Sequence, residues 1–254
     1  MNRLPPIDLH AHIEADISAG DLADLQAVVF AATRSLDEAE RALRRSDTST
    51  IWGVGCHPGL VRAQKGFGSE RFAALVARTA YVSEVGLDGK SRVPMQTQRT
   101  TFGAALKVLQ ETPRITSIHS FAAVEDVLNL LTEQPIHGAV LHWWLGNEAQ
   151  TQRAIRLGSF FSVNAAMLRQ PDLVSRLPLG RLLPETDHPF GDRSGGSARQ
   201  PGKVDDVERT LARIHQLTPA EIRRITWRNL SELVRDTRCG MLLPRQVRLT
   251  LAAS

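Results

Sequence analysis

The sequence predicts an α/β fold, a TIM-type (β/α)8 barrel formed as a single domain. Three observations carry that expectation. Short apolar runs recur eight times at fairly even spacing. Segments with helical patterning separate them, which is the alternation a parallel barrel requires. No glycine-rich fingerprint follows the first run, so an open dinucleotide-binding sheet is the weaker reading. The length, 254 residues, matches one barrel of about 250 residues.

The first run, 7–12, alternates Ile7, Leu9 and Ala11 with Asp8, His10 and His12, the period-two pattern of a strand. Further strands are expected at 27–33, 51–58, 80–87, 115–119, 138–143, 160–164 and 181–187. Helices are expected at 21–26, 36–45, 70–78, 96–110, 124–132, 148–156 and 171–176 between them, then at 204–215 and 218–235. The last opens Thr218-Pro-Ala-Glu221, a capping box with proline at the first helical position. The barrel is assigned to 1–239. A C-terminal tail, 240–254, is apolar and basic, suited to covering one end of the barrel or to docking on a protein partner.

Hydrophobic content of 42% and charged content of 23% are those of a soluble globular chain. The net charge of +4 is compatible with a polyanionic substrate such as DNA without requiring one. Two distant cysteines, Cys56 and Cys239, exclude a disulfide framework and a cysteine-type zinc site. They fit a reducing compartment. The first strand begins too early for an export signal, and no run approaches the roughly 20 apolar residues of a membrane span. A cytoplasmic location and no membrane contact are the expectation.

In a barrel the C-terminal strand ends converge on one mouth. Those ends carry His10 and His12, His57, Glu84, His119, His142, and Glu185 with Asp187. Alternation makes Val82 share the inward face with Glu84, Ser117 with His119, and Leu183 with Glu185 and Asp187. Imidazoles and carboxylates collected in a core need partners or a metal. Together they suit a divalent ion, Zn, Mg or Mn among the choices. Glu84 stands between the strand-one pair and His119/His142, the place for a carboxylate that bridges two ions. Two such ions would clamp an attacking hydroxide and a leaving oxygen, as in phosphodiester hydrolysis. Asp187 is placed to ligate one ion and to act as general base.

The motifs Asp8-Leu-His-Ala-His12, Gly55-Cys-His-Pro58, Ser83-Glu-Val-Gly-Leu-Asp88, Ile118-His-Ser120, His142, Glu185-Thr-Asp-His-Pro189 and Thr226-Trp-Arg-Asn-Leu230 run in one order across the chain. In this the chain resembles the TatD-type metal-dependent deoxyribonucleases of the amidohydrolase-like superfamily. The resemblance implies a divalent-metal 3′–5′ exonuclease or endonuclease activity on DNA, and the reading taken from it is hydrolysis by a metal-bound hydroxide. It also implies His10, His12, Glu84, His119, His142 and Asp187 as ligands. Glu84, where related amidohydrolases place a carboxylated lysine, favours the nuclease branch.

The chain departs from the family pattern where His-Ser-Arg becomes His119-Ser120-Phe121, where His-Cys-Phe-Ser-Gly becomes His142-Trp143-Trp144-Leu145-Gly146, and where Asp-Tyr becomes Asp88-Gly89. Trp143 and Trp144 are candidates for stacking on bases, with the alternative that one packs in the barrel and the other under a loop. His57 is a candidate for supporting a metal ligand or for contacting substrate, and Arg193, Arg199 and Lys203, in the loop after the last strand, are candidate substrate contacts. The divergent loops resemble those of a specialised member of an antiphage defence cassette, with protein partners reached through the tail. Two other readings stand beside the nuclease: a metallohydrolase of small phosphoesters, lactones or amides, and a non-catalytic nucleic-acid-binding subunit of a larger complex.

Overall fold

Eight parallel strands follow the eight apolar runs: β1 (Ile7–Ala11), β2 (Val28–Ala31), β3 (Thr50–Trp52), β4 (Tyr81–Gly86), β5 (Ile115–His119), β6 (Ala139–Leu141), β7 (Phe160–Val163) and β8 (Leu182–Pro184). They come from a computed structural model that describes residues 4–191 and 200–253. Adjacent strands pair in chain order from β1 to β3 and from β4 to β8. Backbone hydrogen bonds close the two gaps. Val54 N donates to Tyr81 O at 3.2 Å and Ser83 N to Val54 O at 3.1 Å, while Asp187 N donates to His10 O and His12 N to His188 O, both at 2.8 Å. The ring is that of a TIM barrel.

All nine expected helices form, with ends shifted by at most three residues. The capping box at Thr218 and Glu221 is present, and a second joins Asn147 and Gln150. Two helices were not expected, Val61–Lys65 and Arg245–Ala253. No helix among the described residues is long and apolar enough to cross a membrane.

Two apolar layers position the site. Val82, Val85, Leu141, Phe161 and Val163 face the helices. A second cluster takes a side chain from every strand, including Phe30, Ile51, Tyr81, Ile115, Val140, Phe160 and Leu183, and continues into Trp227, Leu230, Leu243 and Val247. Most of these residues lie at or near the strand starts, so this cluster seals the end opposite the mouth, and the tail helix Arg245–Ala253 is folded onto it. The Thr226–Leu230 motif serves this closure. Trp227 Nε1 donates to Pro5 O at 2.8 Å, and Asn229 Nδ2 donates to Leu179 O and Leu182 O at 2.9 and 2.8 Å.

Candidate metal centre

Strand alternation places Ser117 inside the barrel and brings His119 to its mouth, as expected. Glu84 arrives by another route. Val82, which alternation pairs with Glu84, packs among the helices instead. The β4–β5 register shifts between Val82 and Val85, and Glu84 takes a left-handed backbone with φ of 37°. That irregularity turns the carboxylate into the mouth. Trp143 and Asp187, just beyond the ends of β6 and β8, are left-handed too, with φ of 42° and 46°. Non-glycine residues in this region cost roughly 1–3 kcal/mol each and are held only where surrounding structure enforces them.

The two oxygens of Glu84 face different histidines. Oε2 lies 3.2 Å from His12 Nε2 and 4.0 Å from His10 Nε2. Oε1 lies 3.1 Å from His57 Nε2, 3.2 Å from His119 Nδ1 and 3.8 Å from His142 Nε2. Asp187 Oδ1 stands on the Oε2 side, 3.6 Å from His12 Nε2 and 3.9 Å from His10 Nε2. Three groups are tight enough to hold an ion, with ligand atoms within 4.8 Å of one another: His10 with His12 and Asp187, His10 with Glu84 and His142, and His57 with Glu84 and His119.

The outer ring nitrogens decide which imidazoles offer a lone pair inward. His12 Nδ1 donates to Ala32 O at 3.2 Å, so in the neutral ring Nε2 is the nitrogen that offers its lone pair inward. Tyr81 gives its hydroxyl proton to Leu9 O at 3.0 Å. His10 Nδ1, 3.1 Å from Tyr81 Oη and 2.8 Å from Ser117 Oγ, therefore supplies the proton there, and its Nε2 faces inward free. His119 turns Nε2 toward Asp88 Oδ2 at 3.5 Å, and His142 turns Nδ1 toward Glu185 Oε1 at 3.6 Å. His57 has the opposite polarity. Its Nδ1 accepts the Gly59 N–H at 2.8 Å, so Nε2 carries the hydrogen, 3.1 Å from Glu84 Oε1. His57 is close enough to ligate but wrongly protonated for it.

The donor set fits a cation. Glu84 Oε2 is buried and makes no hydrogen bond. The inner nitrogens of His10 and His12, and those of His119 and His142, approach each other to 3.4 Å. Burial, then His142 and His12, push His10 well below its ordinary pKa and keep it neutral. Burial opposes charge on Glu84, but His12, His57 and His119 outweigh it and hold the carboxyl well below the usual range. Burial also opposes charge on His119, yet Asp88 and Glu84 raise it to about 9. A proton there supplies the positive charge that an ion would otherwise bring.

Asp8 is not at the centre. It is fully buried and accepts from Thr186 N (2.8 Å), Thr186 Oγ1 (2.6 Å) and Gly202 N (2.8 Å), pinning the segment after β8 to β1. Glu185 accepts from Trp143 N and Asn164 Nδ2, each at 3.1 Å, and from the Ser162 hydroxyl.

The mouth is a cavity of about 310 Å³ lined by His12, His57, Glu84, His119, His142 and Asp187, with Ser120, Phe121, Trp143, Leu145 and Phe190 around them. Trp144 corrects the expectation of a paired stacking platform. It is completely buried, packs on Phe161 and donates Nε1–H to Thr151 Oγ1 at 2.9 Å, which leaves Trp143 alone at the mouth. Lys203 is exposed and does not line the cavity. Arg193 and Arg199 lie outside the described residues.

A parallel barrel with histidines and carboxylates converging at its C-terminal rim defines the class: an α/β barrel built around a candidate metal centre. The model of the TatD related DNase family matches residues 7–235, and the chain belongs to that family. It is 25% identical over 164 residues to the human deoxyribonuclease TATDN3, covering 61% of this chain and 60% of that protein. It is 26% identical over 164 residues to YabD of Bacillus subtilis, described as an uncharacterized metal-dependent hydrolase, covering 61% of this chain and 64% of that one. The chain thus spans less than two thirds of either relative. The solved structure of the TatD homolog YJJV from Escherichia coli superposes with a TM-score of 0.80 at 21% identity, covering 90% of this chain and 97% of that one.

Proposed function

We propose that this chain is a metal-dependent phosphodiesterase that cleaves DNA, with two divalent ions held on either side of Glu84. The observation that supports this most directly is the division of the Glu84 oxygens between two sets of histidines. His10, His12 and Asp187 would hold one ion and His119 with His142 the other, Glu84 bridging them; Zn, Mg and Mn all suit this donor set. Ions held there would neutralise charge developing on a phosphoryl group and make water a nucleophile at neutral pH.

The chain's own groups supply the rest. Asp187 lines the cavity within reach of both β1 histidines, where it can take the proton given up by the attacking water. His57 presents Nε2 to Glu84 Oε1 and favours its charge. Tyr81, Ser117 and the Ala32 carbonyl fix the β1 imidazoles in the tautomer that ligation needs. The buried thiols Cys56 and Cys239 fit a reducing, cytoplasmic setting.

Metal content of the purified chain, measured beside cleavage of labelled single- and double-stranded DNA in Mg²⁺ and Mn²⁺, tests the proposal. Glu84→Ala is expected to lose both bound metal and cleavage. Undiminished cleavage by that variant would overturn the reading.

A further inference from the structure

The apolar surface of the molecule is concentrated at its catalytic end. Eight large apolar side chains are exposed among the described residues, and five of them, Leu60, Val61, Phe121, Leu145 and Phe190, follow strand ends on the rim. Phe121, Leu145 and Phe190 line the same cavity as the candidate ligands and are 50%, 41% and 37% exposed. Exposed apolar groups gathered at one concave site mark a binding surface rather than a requirement of folding.

These side chains stand on fixed backbone. Phe121 O accepts the Gly89 N–H at 2.8 Å, and a Cβ on Gly89 would come within 2.2 Å of Ala122 O, so the two loops are closed on each other. Phe190 follows Asp187 in a tight turn in which Gly191 N donates to Asp187 O at 2.8 Å, and its ring meets His12 edge-on with centroids 5.3 Å apart. A ligand entering this collar finds its walls already in place, so little ordering cost opposes binding.

Charge and size narrow the ligand. Among the described residues the cavity is lined by aromatic, apolar, imidazole and carboxylate groups. A groove that tracks a phosphate backbone needs cations. The cavity, about 310 Å³, is at the lower end of the roughly 300–1,000 Å³ range of small-molecule sites. It has room for one nucleotide unit.

We infer that the collar of Phe121, Trp143, Leu145 and Phe190 binds the nucleobase of a single terminal nucleotide, so that the enzyme grips its substrate by one base at the metal centre rather than by a run of phosphates. Phe121 is the main specificity-determining residue, since it is the most exposed of the three measured above and projects from the loop after His119. The inference rests on the phosphodiester hydrolysis proposed above.

Calorimetric binding of thymidine 5′-monophosphate, deoxyribose 5-phosphate and inorganic phosphate to the Mn²⁺-loaded protein reads the collar without turnover. Thymidine monophosphate is expected to bind at least about tenfold more tightly than deoxyribose phosphate, within the range that one stacked base supplies. In Phe121→Ala and Phe190→Ala, with metal content checked, the gap is expected to fall below about threefold. Cleavage of a trinucleotide with and without its terminal base should show the same preference, in KM more than in kcat. Equal binding of the base-bearing and base-free phosphates by wild type would overturn the inference, as would a preference that survives in both variants. So would a salt dependence corresponding to several phosphate contacts. A base preference in binding without any hydrolysis would instead count against the proposed reaction and leave the collar standing.

Discussion

His57 faces Glu84 across an ion-pair distance: its Nε2 lies 3.1 Å from Glu84 Oε1, while the Gly59 N–H occupies Nδ1. Distance alone would admit His57 as a ligand, but a ring nitrogen that accepts a backbone N–H commits the other nitrogen to carrying the proton. His57→Ala is therefore expected to keep its bound metal and lose activity by about 10- to 100-fold, in line with the loss of a group that orients a ligand. His119→Ala is expected to lose metal as well. Metal analysis of the two variants separates the roles, and loss of metal from His57→Ala to the same extent as from His119→Ala would place His57 among the ligands.

The hydroxyls behind His10 lead to a second expectation. Tyr81 and Ser117 share His10 Nδ1 between them, so removing either leaves the other to accept its proton. The double change Tyr81→Phe with Ser117→Ala leaves Nδ1 buried without a partner. Metal affinity should fall by about 10- to 100-fold in the double variant and much less in either single one. Titration with Mn²⁺ measures it. Equal affinity of the double variant and wild type would show that these hydroxyls do not set the His10 tautomer.

Asp8 sets two effects against each other. Burial is the largest influence on its carboxyl and raises the pKa from 3.8 to about 6, against the hydrogen bonds from Gly202 and Thr186. A raised pKa means that the folded state binds the proton more tightly, so stability is lost as pH rises through about 6; near pH 7 the charge costs about 3 kcal/mol at 1.36 kcal/mol per pKa unit. Asp8→Asn removes that cost but leaves one donor facing an amide N–H, worth about 1–3 kcal/mol, so its net effect at pH 7 is expected to be small. Asp8→Ala strands the donors and opens space, and should destabilise by about 2–4 kcal/mol. Denaturant melts at pH 5 and pH 7 test this. Asp8 should contribute a gain in stability at pH 5 that Asp8→Asn lacks.

The tail is expected to matter for stability and not for the site. Val247 is completely buried against the cluster that seals the lower end of the barrel. Val247→Asp puts a charge there without a partner and should cost about 3 kcal/mol or more. A thermal melt and a metal determination would read the two properties separately. Loss of metal at a temperature where the variant remains folded would contradict the separation.

All eight strands and the six clustered residues His10, His12, Glu84, His119, His142 and Asp187 were legible in the sequence for a physical reason. Imidazoles and carboxylates at the ends of apolar runs are costly to bury, so their recurrence at those places reports a shared environment. The inward face of Glu84 was assigned by alternation, and alternation fails there: a left-handed residue at the register shift sends Val82 to the helices and Glu84 to the mouth. Trp143 and Trp144 could not be told apart by period, since they sit on an irregular turn after β6. The choice is made by Thr151 and Phe161, which receive Trp144. Tyr81 and Ser117 were missed as partners of His10, although hydroxyl groups at interior strand positions were a usable signal. The helix Val61–Lys65 has no side-chain cap and is only five residues long, too little for a pattern to declare it. In the tail, Pro244 followed by Val247 and Leu251 at helical spacing did mark a helix start, which the apolar and basic character of the segment obscured.

The pin between Asp8 and Thr186 joins residues 178 positions apart in the chain. At roughly 5–20 residues per second a ribosome needs on the order of ten to forty seconds to make that stretch. Throughout that interval the nascent chain carries Asp8, His10 and His12 without the segment that holds Asp8 and without Asp187. Fragments that end before β8 can contain most of the strands and most of the histidines, yet none can contain the centre. The group of His10, His12 and Asp187 therefore comes together only when the last strand docks beside the first.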